Sequence, residues 1–165
     1  DYDVTGVQTC ALPISIDDER SRRGLTWSGV AKEIEERFVK VSPSTIKGVG
    51  DRPRVEGDGV LQILLWLGRA PESFVPGYCG AQVLLRPAEP GKVLRWDTAS
   101  IFSALDQKRD SSSLAWRAVA DEIGGVTPQQ LKGMAKGGRT FLPEVMRVAV
   151  WLGVPASNLT KESAT

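Results

Sequence analysis

The residues of this chain whose types can do chemistry are hydroxyl, amide and basic side chains, and they gather in two matching segments. The first segment reads Val41-Ser-Pro-Ser-Thr-Ile-Lys-Gly48, and the second reads Val126-Thr-Pro-Gln-Gln-Leu-Lys-Gly133. Serine, threonine and glutamine side chains donate and accept hydrogen bonds, and the lysine ammonium group donates hydrogen bonds and pairs with anions. The two segments therefore carry the side chains of a polar binding surface.

The composition removes most catalytic and metal chemistry. The 165 residues include no histidine and only two cysteines, Cys10 and Cys79. Without histidine there is no Ser-His-Asp or Cys-His arrangement, and two cysteines are too few for a four-cysteine zinc site or a disulfide framework. No apolar run reaches the roughly 18 residues that a membrane span needs. We expect a soluble, cytoplasmic protein that is not an enzyme, uses no metal or other cofactor and does not bind membranes.

The chain contains the same unit twice. Leu25-Thr-Trp-Ser-Gly-Val-Ala-Lys-Glu-Ile34 matches Leu114-Ala-Trp-Arg-Ala-Val-Ala-Asp-Glu-Ile123 at an offset of 89 positions. After four extra residues in the first copy the offset becomes 85, and it holds through the two polar segments to Trp66-Leu-Gly68 and Trp151-Leu-Gly153. An alignment maintained over this length indicates a tandem duplication.

Each copy is predicted to form a short bundle of helices that positions its polar segment. In the second copy, apolar residues at helical spacing predict helices over 98–110 and 115–123. Gly124-Gly125 then allows a tight turn, and Thr127 followed by Pro128 is typical of the capped start of a third helix, over 128–136. Further helices are predicted over 143–152 and 156–159 in this copy, and over 27–38, 43–49, 56–67 and 71–74 in the first.

A helix, a short turn and a capped helix make the pattern of a helix-turn-helix. The residues that carry it resemble the Cro-like or XRE family of phage-repressor DNA-binding domains. The resemblance covers about residues 17–74 and 98–160, and it implies an all-α fold of two small, lambda-repressor-like bundles. The matching positions are Leu25, Thr26, Val30, Ala31, Val41, Ser42, Ser44, Thr45, Ile46, Arg52 and Pro53, and then Leu114, Val119, Ala120, Val126, Thr127 and Leu131.

The resemblance also implies a function, the sequence-specific binding of double-stranded DNA by a bacterial or phage transcriptional regulator that acts as a covalent pseudo-dimer. In that family the third helix lies in the major groove, its N-terminal residues meet base edges, and basic residues of the following loop approach the backbone. Carried over by position, the candidate DNA-binding residues are Ser42, Ser44, Thr45, Lys47, Arg52 and Arg54 in the first copy, and Thr127, Gln129, Gln130, Lys132, Lys136 and Arg139 in the second.

Two departures from the family pattern leave a second hypothesis open. Gly48 and Gly133 stand where a side chain usually faces the groove. Trp27 and Trp116 replace a polar residue, and each indole either donates to a phosphate or packs against its neighbours. The formal net charge is only +1. The alternative is a protein-interaction or antitoxin-like module that keeps the bundle without base readout, with another protein or a second copy of the chain as its partner.

The remaining segments set the domain boundaries. Residues 1–15 contain TGVQTCALPIS, which resembles a translated sequencing adapter, and we expect a non-native scar that truncates the first helix of a domain over 16–74. A connector over 75–97 is rich in proline and glycine, and its segments 81–85 and 92–96 are predicted to pair as a hairpin. Fully extended, the connector spans about 70 Å. The second domain covers 98–160, and 161–165 is a tail.

Overall fold

The structure, a computed structural model, describes residues 11–51, 57–75, 77–137 and 140–165. Eight α-helices, three short 3-10 helices and one two-stranded sheet cover these ranges, and helix accounts for 60% of the chain. The prediction of a largely α-helical protein is therefore confirmed, and the small sheet is an addition to it. None of the helices in these ranges is long and apolar enough to cross a membrane.

The first repeat consists of four α-helices and a 3-10 helix. Thr26 begins the second of these helices, because its hydroxyl accepts a hydrogen bond from the Gly29 N–H. Gly68 ends the fourth with a φ of 65°, a left-handed conformation that glycine adopts without strain. The elements are α1 (Ala11–Arg22), α2 (Trp27–Arg37), α3 (Pro43–Asp51), α4 (Gly59–Leu67) and η1 (Pro71–Phe74).

The second repeat has the same order of helices, framed by two strands. Gly153 ends its last α-helix as Gly68 ends α4, with a φ of 71°. In this repeat the predicted helix ends agree with the observed ones to within about two residues, except where the third helix tightens into a 3-10 turn, whereas in the first repeat the helix predicted from residue 56 begins at Gly59. The elements are β1 (Lys92–Trp96), α5 (Thr98–Ser111), α6 (Trp116–Ile123), α7 (Pro128–Gly133), η2 (Met134–Lys136), α8 (Leu142–Leu152), η3 (Ala156–Leu159) and β2 (Thr160–Ala164).

The sheet pairs β1 with β2 in antiparallel register, so that Lys92 lies opposite Ala164 and Trp96 lies opposite Thr160. The predicted hairpin between 81–85 and 92–96 is wrong, since residues 81–85 form no strand. One edge of β1 is occupied by β2, and groups on the other edge are bonded by side chains of the first repeat, Asp58 and Gln62. Neither edge of β1 is therefore left for the connector to pair with.

The first helix starts earlier than its predicted boundary at residue 16. Helix α1 begins at Ala11 and includes Pro13 as its third residue. Proline is tolerated there because the N–H groups of a first turn have no partner within the helix. The Ser15 hydroxyl accepts a 2.6 Å hydrogen bond from Arg69, and Ile16 is buried. Residues 11–15 thus belong to the helix, and the rest of the expected scar, 1–10, lies outside the described residues.

One hydrophobic core runs through both repeats. It joins buried side chains of α2 and α4, such as Ile34 and Leu64, to those of α5 and α8, such as Leu105 and Met146. Trp96 of β1 belongs to the same cluster. Because burial of apolar surface is the main stabilising term in folding, a shared core couples the stabilities of the two repeats.

Candidate nucleic-acid interface

The helices that carry the polar segments, α3 and α7, both start at a proline that follows a capping hydroxyl. The Ser42 hydroxyl accepts from the Thr45 N–H at 3.2 Å, and the Thr127 hydroxyl accepts from the Gln130 N–H at 3.2 Å. In α7 the Gln130 side-chain oxygen also accepts from the Thr127 N–H at 2.8 Å, which completes a capping box. The two helix starts are therefore fixed by their own side chains.

Four of the candidate residues have a structural role of this kind. Thr127 and Gln130 hold the start of α7, and the hydroxyl groups of Ser42 and Thr45 lie 2.7 Å apart at the start of α3. These contacts explain why hydroxyl and amide side chains occupy the four positions even without a ligand. The other candidates on the two helices are Ser44, Lys47, Gln129 and Lys132.

Those other candidates share one exposed face on each helix. The inner faces of α3 and α7 bury Ile46 and Leu131. The exposed face carries Ser44 and Lys47 on α3, and Gln129 and Lys132 on α7. Residues three apart lie side by side on a helix surface, so each pair forms one continuous polar patch. We call these two pairs the outer faces of α3 and α7.

The lysines of the outer faces differ from many other basic residues in their surroundings. Arg20 and Arg109 are paired with Asp17 and Asp106 at 2.6 and 2.7 Å, and Lys92 is 2.6 Å from Glu89. Within the described ranges, no acidic group lies within ion-pair distance of Lys47, Lys132 or Lys136. Lys136 is exposed at the end of η2. These ammonium groups are available to an anionic ligand.

The start of each bundle is held by an arginine at an equivalent position. The Arg20 guanidinium bonds Asp17, donates to the Leu25 carbonyl at 2.9 Å and lies 4.9 Å from the ring centre of Trp27. In the second repeat the same contacts recur 89 positions later. Arg109 bonds Asp106, donates to the Leu114 carbonyl at 3.0 Å and lies 5.2 Å from the ring centre of Trp116.

Trp27 and Trp116 both make packing contacts, which is one of the two roles that the sequence allows them. Trp27 and Trp116 are half-buried beneath their arginines. Trp116 is also stacked on Phe102, with ring centres 5.4 Å apart. Both contacts are favourable for an aromatic ring, and neither needs a phosphate.

A second pair of indoles ties the helix before the turn to the last α-helix of each bundle. The Trp66 N–H donates to Glu33 at 2.9 Å, and the Trp151 N–H donates to Glu122 at 2.9 Å. The hydrogen bond from Trp66, with a further contribution from Arg23, keeps the pKa of Glu33 below its ordinary range. These ties fix α2 against α4 and α6 against α8, and so hold the scaffold on which α3 and α7 sit.

The cation above each of these indoles comes from a different position in the two repeats. Arg23 lies 4.8 Å from the ring centre of Trp66, and Lys108 lies 4.3 Å from that of Trp151. The position equivalent to Arg23 is Ser112, and the position equivalent to Lys108 is Glu19, which bonds Arg23 at 2.6 Å. A cation therefore covers the indole in both repeats, but Arg23 supplies it in the first and Lys108, from a different position of the repeat, supplies it in the second.

Four further positions that the sequence singled out are those of Arg52, Arg54, Arg139 and Gly133. Arg52, Arg54 and Arg139 lie outside the described residues. Gly133 is half-exposed, and a Cβ added there would meet nothing within 4 Å. Bare backbone therefore reaches the surface of α7 beside Lys132.

The sequence interpretation missed several residues that position the site, although two signals were present. Glu33 and Glu122 coincide at the offset of the repeat, as do Arg20 and Arg109. Gln62 is the single polar residue within the apolar run of α4, and it is 3% exposed. A polar side chain inside such a run predicts a buried partner.

Comparison with protein-family models, with curated proteins and with solved structures finds no match to this chain, so the family to which it belongs stays a proposal drawn from its own residues.

Proposed function

We propose that this protein binds double-stranded DNA sequence-specifically as a transcriptional regulator of the Cro-like kind, with α2–α3 and α6–α7 as its two helix-turn-helix units. The observation that carries the proposal is the repeated outer face. Ser44 with Lys47, and Gln129 with Lys132, occupy equivalent exposed positions just after a capped helix start. Both lysines are without an acidic partner among the described residues.

The geometry of each unit suits a helix that enters the major groove by its N-terminal end. A turn over 38–42 joins α2 to α3, and a turn over 124–127 joins α6 to α7. In a helix-turn-helix, the first residues of the second helix meet base edges. Gln129 fits this role because an amide side chain bonds adenine through two hydrogen bonds, and the Ser44 hydroxyl donates or accepts at several bases.

Lysines three residues further along each helix reach either guanine or a phosphate. Lys47 and Lys132 supply this charge on the helices, and Lys136 supplies it at the end of η2. Arg52, Arg54 and Arg139 follow the helices in sequence and add to the positive charge there. Contacts of this kind release counterions from DNA, so binding must weaken as salt rises.

The test is selection of bound duplexes from a random pool, followed by titration of the selected duplex across salt concentrations. We expect Lys132→Ala to weaken binding to all duplexes and to lower the salt slope by about 1. Gln129→Ala is expected to relax the preference at one base pair by about 1–3 kcal/mol. Lys161→Ala is the matched control, because it removes the same charge from an exposed position on β2.

Equal losses for Lys132→Ala and Lys161→Ala would contradict the proposed interface. A folded protein that enriches no duplex would contradict DNA binding itself. That outcome would favour the interaction module, which has one observation of its own. Gly48 and Gly133 place bare backbone, and not a base-reading side chain, at the equivalent positions after Lys47 and Lys132.

A further inference from the structure

Strand β2 is one edge of the two-stranded sheet, and its register shows which of its backbone groups face outward. A hydrogen bond at each end of the pair fixes the register, from the Asp97 N–H to the Leu159 carbonyl at 2.8 Å and from the Thr165 N–H to the Gly91 carbonyl at 3.4 Å. In an antiparallel pair, alternate residues of a strand bond the partner strand, and the residues between them turn their N–H and C=O groups to the opposite edge. The outward residues of β2 are Thr160, Glu162 and Ala164.

The outward backbone groups of β2 have no hydrogen-bond partner in the part of the chain that the structure describes. On β1 the corresponding groups are bonded by side chains of the first repeat. Charged side chains often protect a strand edge, but those of β2 are engaged in ion pairs. Lys161 lies 3.6 Å from Asp97, and Glu162 lies 3.2 Å from Lys92. The edge is therefore open to an additional strand.

A groove of about 440 Å³ lies against this part of β2. Residues 160–162 and the end of η3 line one side of it, connector residues 83–86 line the other, and the buried Leu94 contributes to its surface. Clefts that bind ligands have volumes of about 300–1,000 Å³. Leu84, in the connector wall, is 57% exposed. An apolar side chain thus stands exposed beside a row of unpaired backbone groups.

The groove also contains a cation without an acidic partner. Arg86 lines the connector side, and among the described residues no carboxylate lies within ion-pair distance of its guanidinium. A guanidinium binds a carboxylate through two parallel hydrogen bonds. The charge of Arg86 therefore favours an occupant that carries an acidic group.

A second copy of β2 fits the open edge poorly. Two-fold antiparallel pairing centred on Glu162 places two glutamates opposite each other, and pairing centred on Lys161 does the same with two lysines. Like charges that lie directly opposite destabilise a sheet. Residues 83–86 also wall the far side of the groove, which favours a single extended segment over a folded domain.

We propose that this groove is a docking site for an extended, acidic peptide segment of another protein, which adds to the outer edge of β2 as a third strand. The backbone groups of the edge recur every second residue, and an extended peptide presents its own N–H and C=O groups with the same period. Arg86 binds a carboxylate of the segment, and Leu84 contacts an apolar side chain. The site is separate from the proposed DNA-binding surface, since neither α3 nor α7 contributes to the groove.

The test selects ligands for the full chain from a phage-displayed library of random short peptides, and measures the affinity of an enriched peptide by fluorescence anisotropy. Glu162→Pro removes an outward N–H, and proline is tolerated where an edge strand turns its N–H away from the sheet. Glu162→Ala is the matched control, because it removes the same side chain and keeps the donor. We expect the proline variant to bind the peptide about tenfold more weakly than the alanine variant, since one backbone hydrogen bond is lost.

The charge of the groove is tested by a double-mutant cycle. Arg86→Gln is combined with a peptide whose acidic residue is replaced by its amide. We expect each change alone to weaken binding about fivefold, and both together to weaken it no more than either one, because they remove the same contact. Arg117→Gln is the control, since it removes an equal charge from an exposed position on α6, and it should leave the affinity unchanged.

Amide hydrogen exchange examines the edge without any variant. In the chain without peptide, the Glu162 amide should exchange faster than those of Lys161 and Ser163, which bond β1, and the enriched peptide should slow it. Equal protection of the three amides without peptide would mean that the edge is already covered and would overturn the proposal. So would a library that enriches no peptide, or a peptide that binds the proline and alanine variants equally. A dimer of the wild type that Glu162→Pro dissociates would assign the edge to a second copy of the chain instead.

Discussion

At the scale of single residues, the Trp66 and Trp151 indoles show how a duplication conserves a contact. Each donates to a glutamate of the helix before the turn, and the two hydrogen bonds have the same length, 2.9 Å. Trp66 is 2% exposed. A buried indole N–H needs a partner, since an unpaired polar group in a core is costly. Conservation of Glu33 and Glu122 therefore follows from conservation of the tryptophans.

We expect Trp66→Phe to lower the free energy of unfolding by about 1–3 kcal/mol, because phenylalanine keeps an aromatic ring but removes the donor. Since Glu33 has a lowered pKa in the folded state, the stabilisation by its hydrogen bonds is present above the ordinary glutamate pKa of 4.5 and is lost as the pH falls below it. The difference between variant and wild type should therefore shrink in acid. Urea denaturation at neutral pH and at decreasing pH measures both effects.

The matched control is Trp27→Phe. Trp27 packs beneath Arg20, and no hydrogen bond from its indole is found within the described residues. Phenylalanine keeps the stacking face, so we expect a smaller loss than at Trp66. Equal losses at the two positions would show that the Glu33 bond contributes nothing measurable.

At the scale of elements, the turns before the helices fix how the helices are placed, and with them the outer faces of α3 and α7. Gly125 in the turn before α7 has a φ of 67°, and Gly24 in the turn before α2 has a φ of 66°. An added Cβ at Gly24 would meet nothing within 4 Å, whereas at Gly125 it would collide with the guanidinium of Arg147. Arg147 donates to the Gly124 carbonyl at 3.0 Å, so this turn is tied to α8.

These two glycines form a matched pair for a stability measurement. Both alanine substitutions force a left-handed backbone, at about 1–2 kcal/mol each. We expect Gly125→Ala to cost about 1 kcal/mol more than Gly24→Ala, because alanine at 125 also displaces Arg147 from its hydrogen bond. Thermal or urea unfolding of the two variants measures the difference. The same loss in both would mean that the Arg147 contact does not stabilise the turn.

Local signals made most helices predictable from the sequence. Apolar spacing, the Thr127 cap and Pro128 lie within a few residues of the helix that they start, and the Thr-x-x-Gln capping box of α7 is readable in the same way. The β1–β2 pairing was not predictable, because Thr160–Ala164 lacks apolar alternation and its partner is distant in the chain. The Arg109–Asp106 pair, three residues apart on α5, is a local signal of this kind, whereas the bond from Trp151 to Glu122 joins residues far apart in the chain and needs the tertiary structure.

At the scale of the whole molecule, the two bundles behave as one body. Their core is continuous, and side chains of Asp58, Gln62 and Glu72 bond one repeat to the other. The duplication was evident from the sequence, but this union was not. Asp58 and Glu72 are of residue types that usually lie on a solvated surface, and the backbone groups that bond Asp58, Gln62 and Glu72 are supplied by any sequence.

We therefore expect the two repeats to unfold in a single transition. Hydrogen exchange resolved by residue should give the same global opening free energy for core amides of α4 and α8. Asp58→Ala combined with Gln62→Ala should lower both values together, because the continuous core still joins the two repeats. Different values in the wild type would contradict the coupling, since independent domains exchange independently.

The pairing of β1 with β2 has a consequence for the order in which the protein is made. On the ribosome, Lys92–Trp96 emerges well before Thr160–Ala164, so the strand waits for its partner through the synthesis of four α-helices. A lone strand edge invites pairing with another nascent chain. Asp58 and Gln62 have already emerged by then, and they can hold β1 against the finished first repeat. These two side chains bond the edge of β1 opposite to β2, so the edge that pairs with β2 stays open until Thr160–Ala164 has been made.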